Sequence, residues 1–157
     1  MCGPGPWRGT LEDIEARFLC VDDEAIWELR ARQRQDLVHH LRHRLLRQQQ
    51  ARGERRTRSL ALLERLDPNC LTIGFARRFA SYKRVDLLLH DADRLARLLS
   101  DPERPVQLVV AGKAHPRDEA GKRVVRRWSD FMHHPAAHGR IVFVEDYDIG
   151  LATELVQ

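Results

Sequence analysis

Four basic residues lie within eight positions near the middle of the chain, in the segment 77–84, which reads RRFASYKR. A guanidinium can bind a phosphate through two parallel hydrogen bonds, and an ammonium binds it as a compact charge. If the segment opens a helix, backbone N–H groups and the positive end of the helix dipole add to this attraction. The spacing therefore indicates an anion site. A solvated basic turn is the alternative interpretation, because runs of charge are common on solvated faces.

The elements around this segment alternate regularly between two patterns. Short apolar runs typical of buried strands begin near residues 71, 106 and 141, and helical spacing of apolar residues follows over 81–99 and 118–134. This alternation predicts an α/β fold with a parallel three-stranded sheet. Ligands bind beyond the carboxyl ends of such strands, so the segment 77–84 is expected at the binding edge.

A helical segment precedes the first strand. One helix is predicted over about 22–50 and a shorter one over about 60–66, and a last helix begins near Gly150. Both faces of a parallel sheet need cover, which the leading helices can supply on one side. We therefore divide the chain into a helical lead-in, 1–66, and a sheet-forming part, 67–157. Three strands make half of a doubly wound sheet, so we expect a fragment of a larger protein.

The composition excludes several classes of protein. The chain of 157 residues has a mean hydropathy of -0.50 and no run near the roughly 18 apolar residues of a membrane helix. Its three cysteines, Cys2, Cys20 and Cys70, are too widely spaced for a disulfide framework or a zinc knuckle. The first residues lack the basic and apolar regions of a secretory signal. We therefore expect a cytoplasmic protein with no membrane partner.

Three weaker candidate sites remain in the sequence. His39 and His43 have the spacing of a metal-binding pair on a helix, but no third ligand is evident, so no metal site is predicted. Ten arginines over 30–58 are compatible with nucleic-acid binding. No aromatic residues interleave with them, and we therefore predict no nucleic-acid partner. Gly112-Lys113 permits close backbone approach to an anion, or forms an ordinary turn.

Three blocks of the sequence resemble the α-glucan (glycogen) phosphorylases, in their bacterial branch. They are LTIGFARRFASYKR at 71–84, VVAGKAHP at 109–116 and RIVFVEDYD at 140–148, in the order and spacing of the family. The resemblance covers about 66–157 strongly. It implies a glycosyltransferase fold of the GT-B type. In that fold, 67–157 would be the N-terminal half of the C-terminal Rossmann-like domain, and 1–66 would be part of the interdomain region.

The resemblance also implies an activity and a set of site residues. The family transfers a glucosyl unit from α-1,4-glucan to inorganic phosphate, giving glucose 1-phosphate, with pyridoxal 5′-phosphate acting through its phosphate group. By position, Arg78 and Lys83 match catalytic residues that clamp the substrate phosphate. Arg77, Lys83 and Tyr147 match positions at the cofactor phosphate. The family's cofactor-bearing lysine motif does not occur in this chain, so we expect the chain alone to be inactive.

Two other functions remain open from the residues. A nucleotide-sugar glycosyltransferase of the glycogen-synthase type shares the fold and also places an arginine and a lysine on phosphates, although the contiguous RRFxxYKR form favours a phosphorylase. From a different class, a non-enzymatic fragment could bind RNA or a protein partner through the basic helix at 30–58.

Overall fold

A computed structural model describes residues 15, 16, 18–53 and 66–156. Seven regular elements follow in chain order: α1 (Asp23–Ala51), β1 (Leu71–Ala76), α2 (Ala92–Ser100), β2 (Val106–Ala111), α3 (Glu119–Met132), β3 (Ile141–Val144) and α4 (Ile149–Leu155). Two 3₁₀ helices, Ser81–Lys83 and Leu87–Asp91, lie between β1 and α2. The shorter lead-in helix predicted before Leu66 lies outside the described residues.

The three strands form one parallel sheet in the order β1-β2-β3. In its register, Ile73 of β1 lies beside Leu108 of β2, which in turn lies beside Ile141 of β3. The predicted α/β fold with a parallel three-stranded sheet is confirmed. Because all strands run in the same direction, their carboxyl ends lie at one edge of the sheet.

Helices cover both faces of the sheet. The central strand β2 is buried on both sides, which is why its apolar residues run without alternation. Leu108 and Val110 pack on one face with residues of α2 and α3, such as Leu99 and Trp128. The helices α2 and α3 connect successive parallel strands. Both lie on this face because each connection is right-handed and moves to the next strand in the same direction along the sheet.

The opposite face is covered by α1 and α4. Val38, Leu41 and Leu45 recur at helical spacing along α1 and are buried. They pack in one cluster with Val109 of β2 and with Leu151 of α4. The lead-in helix predicted at about 22–50 is therefore present, and it packs on the sheet of this chain.

The helix predicted over 81–99 is wrong in its first half. The α-helical part begins at Ala92, where the side chain of Asp91 caps it by accepting from the Arg94 N–H at 2.9 Å. Before it, Arg84 has a left-handed backbone conformation with φ of 48°, which a continuous helix cannot contain. The anion site expected at 77–84 is therefore not at the N-terminus of an α-helix, and no dipole of a regular helix acts there.

Two findings on the described residues concern membranes and metals. None of their helices is both long enough and apolar enough to cross a membrane. Nor do they bring three histidine, cysteine or acidic side chains together as metal ligands. The rings of His39 and His43 contact each other edge to face, with centroids 4.5 Å apart.

Candidate phosphate-binding site

The site candidates lie in two segments at the carboxyl edge of the sheet. One segment, 77–84, follows β1, and we call it the β1 turn. The other segment, 145–148, follows β3 and precedes α4, and we call it the β3 loop. The residues after β2 lie between them, because β2 is the central strand. Parallel strands thus bring together segments that are about 70 positions apart in the sequence.

The β1 turn is fixed to the residues after β2 by backbone hydrogen bonds. The Arg77 N–H donates to the Ala111 carbonyl at 3.1 Å, and the Phe79 N–H donates to the Lys113 carbonyl at 2.9 Å. The Phe79 side chain is fully buried, with its ring centroid 5.8 Å from that of Phe143. The basic residues of the turn thus stand on an anchored backbone.

Gly112 allows this close approach. Its φ is +155°, and a Cβ built there would lie 2.0 Å from the Arg77 carbonyl oxygen and 2.7 Å from the Phe79 ring. Any side chain at this position would displace the β1 turn. Gly112 therefore allows the β1 turn to pack against the end of β2. Of the two interpretations of Gly112-Lys113, this packing agrees with the ordinary turn and gives no direct support to an anion contact.

Arg78 and Lys83 meet around the exposed side chain of Tyr82. The Lys83 ammonium lies 4.6 Å from the centroid of the Tyr82 ring. The pKa of Tyr82 is lowered, first by a hydrogen bond from Arg78 and then by the positive charge of Lys83. A phenol whose ionisation is favoured reports a positive local potential, which would equally favour a bound anion.

Sequence reasoning gave no role to Tyr82, although the residue lies inside the basic segment. The available signal was its position directly before Lys83 and four residues after Arg78. The 3₁₀ helix Ser81–Lys83 and the left-handed Arg84 fold the turn back on itself and bring these side chains together.

The basic residues of the β1 turn have no acidic partners in the parts of the chain that the structure describes. Among the described residues, no carboxylate forms an ion pair with Arg77, Arg78 or Lys83. Other cations at this edge do have such partners: the Lys113 ammonium, a candidate in the sequence, lies 3.1 Å from the Asp146 carboxylate. The positive charge of the β1 turn is therefore not offset by these parts of the protein.

Arg77 and Tyr147 line one cavity of about 260 Å³, formed between β1 and α4. Gly74 and Leu155 contribute to its wall. Of the described residues, neither Arg78 nor Lys83 lines this cavity. The predicted site residues thus form two pairs, Arg78 with Lys83 and Arg77 with Tyr147.

Comparison with known proteins shows which enzymes have a similar sequence. The chain is 42% identical over 139 residues to a glycogen phosphorylase of Aquifex aeolicus, a match covering 87% of the chain. It is 42% identical over 132 residues to a glycogen phosphorylase of Mycobacterium tuberculosis, covering 84% of the chain. A maltodextrin phosphorylase of Thermococcus litoralis is 38% identical over 152 residues, or 96% of the chain.

The chain matches a segment of the glycogen and maltodextrin phosphorylase family. The resemblance found in the three sequence blocks is thereby confirmed. The chain spans between 15% and 20% of the length of these curated phosphorylases. No protein-family model matches the chain.

The Thermococcus phosphorylase match includes the β1 turn, because it covers 96% of the chain. The segment shared with this phosphorylase therefore contains Arg77, Arg78 and Lys83, the three cations for which no described residue supplies a carboxylate partner.

Proposed function

We propose that this chain is the phosphate-binding segment of an α-1,4-glucan phosphorylase. The complete enzyme would transfer a glucosyl unit from glucan to inorganic phosphate and release glucose 1-phosphate. The observation that carries the proposal is the absence of carboxylate partners for Arg77, Arg78 and Lys83 among the described residues, in a segment shared with phosphorylases. Residues 67–157 would form the first half of the C-terminal Rossmann-like domain, and 1–66 part of the interdomain region.

Arg78 and Lys83 would hold the substrate phosphate. Arg78 would orient it through the two N–H groups of its guanidinium, which match the geometry of phosphate oxygens. Lys83 would act as a point charge between that phosphate and a second one. Two phosphate dianions repel each other strongly at close range, so fixed cations are needed before a proton can pass between them.

Arg77 and Tyr147 would hold the phosphate group of pyridoxal 5′-phosphate from the cavity that they line, and Lys83 would reach that phosphate from outside the cavity. Arg77 and Tyr147 both line one cavity, and their guanidinium and phenol groups are donors suited to phosphate oxygens, so the residues present fit this end of the cofactor. No lysine of the described residues lines the cavity, so covalent attachment would need another part of the enzyme. The bound cofactor would supply a phosphate group that exchanges a proton with the substrate phosphate.

The relatives favour a phosphorylase over a nucleotide-sugar glycosyltransferase, since the compared proteins carry phosphorylase names. The RNA-binding alternative is weakened by the contacts of the lead-in helix. Arg44 and Arg52, two of the arginines that could have bound RNA, are engaged with Asp148 and Glu145 of this chain.

A chimaera tests the proposed function without relying on the isolated chain. This chain would replace the matching segment of the Aquifex aeolicus glycogen phosphorylase, which it resembles at 42% identity. We expect the purified chimaera to form glucose 1-phosphate from glucan and phosphate, and the 157-residue chain alone to form none. A folded chimaera that binds pyridoxal phosphate but lacks phosphorolysis would contradict the proposal.

A further inference from the structure

Two side chains of α1 and the side chain of its C-cap residue, Arg52, reach from the lead-in helix to the β3 loop. Arg44, Gln48 and Arg52 are spaced four residues apart, so they lie along one face of the helix. Each contacts the loop or the end of β3, about 93 to 104 positions later in the chain. One stripe of a long helix thus holds one loop of the candidate site.

Arg44 makes the most extensive of these contacts. Its two terminal nitrogens lie 3.3 and 2.9 Å from the two carboxylate oxygens of Asp148. The same guanidinium donates to the Glu145 carbonyl at 3.4 Å and to the Asp146 carbonyl. The Arg44 side chain is only 15% exposed, so its orientation is restricted by packing as well as by these acceptors.

Gln48 and Arg52 extend the contact along β3. The Gln48 amide donates to the Phe143 carbonyl at 3.1 Å, and its oxygen accepts from the Glu145 N–H at 2.9 Å. The side chain of Gln48 therefore bonds the exposed edge of β3 as a neighbouring strand would. Arg52 pairs with the carboxylate of Glu145.

The β3 loop has little freedom under these contacts. Asp146 has a left-handed backbone with φ of 54°, a conformation that aspartate adopts more readily than most residues and that the Arg44 hydrogen bond to its carbonyl supports. The Asp148 carboxylate also caps α4, accepting from the Leu151 N–H at 2.8 Å. Tyr147 lies between these two residues, so whatever holds Asp146 and Asp148 also decides where Tyr147 is placed.

We propose that Arg44 is a positioning residue that sets the placement of Tyr147 at the candidate cofactor cavity. Isolated surface ion pairs contribute little to stability, but Arg44 joins one carboxylate and two carbonyls of a single loop. The lead-in helix therefore acts on the site as well as covering the sheet. The expected effect on catalysis rests on the role proposed for Tyr147 in the enzyme. The expected effect on the placement of Tyr147 does not depend on that role.

Tyrosine signals in the chain itself test the placement directly. The chain has two tyrosines, Tyr82 and Tyr147, so ¹³C-labelled tyrosine gives two sets of ring signals. We expect Arg44→Gln to shift or broaden the Tyr147 signals while leaving those of Tyr82 in place. Arg44→Lys keeps the charge but loses the paired N–H donors, and should restore only part of the wild-type spectrum.

The matched control is Arg47→Gln, which removes the same charge from an exposed position of α1. It should leave both tyrosines unchanged. Unchanged Tyr147 signals in Arg44→Gln, with wild-type melting, would overturn the proposal. If Arg44→Gln does not fold, Arg44→Lys decides, because a folded variant with wild-type Tyr147 signals would equally overturn it.

Kinetics of the chimaera separate positioning from general destabilisation. Arg44→Gln should lower kcat roughly tenfold while KM for phosphate stays within about twofold, because Arg78 and Lys83 are untouched. A rise in KM for phosphate without a change in kcat would contradict the proposal that Arg44 acts on catalysis through the position of Tyr147. An inactive parent chimaera would refute the proposed function alone, since the tyrosine spectra still decide the role of Arg44.

Discussion

The β1 turn and the β3 loop follow the two outer strands at the same edge of the sheet, yet they differ in whether their charged side chains have partners of opposite charge. In the β3 loop every acidic side chain has a cationic partner: Glu145 with Arg52, Asp146 with Lys113 and Asp148 with Arg44. In the β1 turn, the cations Arg77, Arg78 and Lys83 have no carboxylate partner among the described residues.

The presence or absence of ion pairs distinguishes charges that stabilise the structure around the candidate site from charges that would bind a ligand there. Paired charges hold the β3 loop to the lead-in helix and to the end of β2. Unpaired cations on an anchored backbone keep a positive potential in place before any ligand arrives, which is the arrangement that favours binding and stabilising an anion. Substitutions in the two regions should therefore change different observables.

The largest expected effect is that of Arg78→Ala on catalysis by the chimaera. We expect kcat/KM for phosphate to fall roughly a hundredfold, because a fixed donor to the charged transition state is lost. The melting temperature should stay at its wild-type value, since no ion pair with a described carboxylate is broken. Steady-state kinetics with varied phosphate, together with thermal melting, measure both quantities.

Two further variants sharpen the Arg78 experiment. Arg78→Lys should recover only part of the activity, because charge is kept while the paired donors are lost. Arg94→Ala removes an exposed arginine of α2 and should be nearly neutral. If Arg78→Ala behaves like Arg94→Ala, the β1 turn is a solvated basic turn and the two regions do not differ in function.

A second, smaller effect concerns acid titration of the β3 loop. The hydrogen bond from Arg44 and that from the Leu151 N–H lower the pKa of Asp148 from 3.8 to about 2, and the charge of His40 acts in the same direction. Because this pKa is depressed in the folded state, ionised Asp148 stabilises the fold above pH about 4, and the contribution is lost as pH falls towards 2.

Removing Arg44 should reverse most of that shift. In Arg44→Gln we expect the pKa of Asp148 to return towards 3.8, as measured by ¹³C NMR of its carboxyl carbon. The stability difference between wild type and variant should shrink as pH falls below about 4. A pKa of Asp148 as low in Arg44→Gln as in the wild type would show that α1 does not control the charge of the loop, since the Leu151 N–H alone would then account for the lowering.

Much of the fold could be predicted from the sequence because its signals are local. The strands near 71, 106 and 141 are short apolar runs, and their alternation with helices was sufficient to predict the parallel sheet. The error lay at Ser81, where the apolar spacing of a helix continues although Arg84 adopts a left-handed conformation. Periodicity does not detect a single backbone angle that breaks a helix.

From the residues alone, the candidate site was predictable only where it is contiguous, and Tyr147 was assigned solely through the family resemblance. Arg78 and Lys83 are five positions apart and stood out as an excess of charge. The contact of Arg44 with Asp148 joins residues 104 positions apart, and the sequence offered ten arginines over 30–58 without a sign of which would face the loop. Only the packing of Leu41 and Leu45 on the sheet determines that the Arg44 face of the helix meets β3.

The smallest expected effect is a change in the pKa of Tyr82. It tests most directly whether the cations of the β1 turn, unlike the paired charges of the β3 loop, bind phosphate. In a Tyr147→Phe variant Tyr82 is the sole tyrosine, so tyrosinate absorbance against pH reports its pKa alone. The hydrogen bond from Arg78 and the charge of Lys83 lower this pKa. Phosphate bound to the same two cations would offset their potential, and the pKa of Tyr82 should therefore rise in phosphate relative to chloride of equal ionic strength.

Arg78→Ala in the same background supplies the control for the Tyr82 titration. It should raise the pKa of Tyr82 in chloride, because the largest cause of the lowering is removed, and it should abolish the further rise in phosphate. Equal pKa values in phosphate and chloride for the unsubstituted β1 turn would mean that its cations do not hold phosphate. The β1 turn would then be a solvated basic turn, and the difference in charge pairing between it and the β3 loop would have no bearing on phosphate.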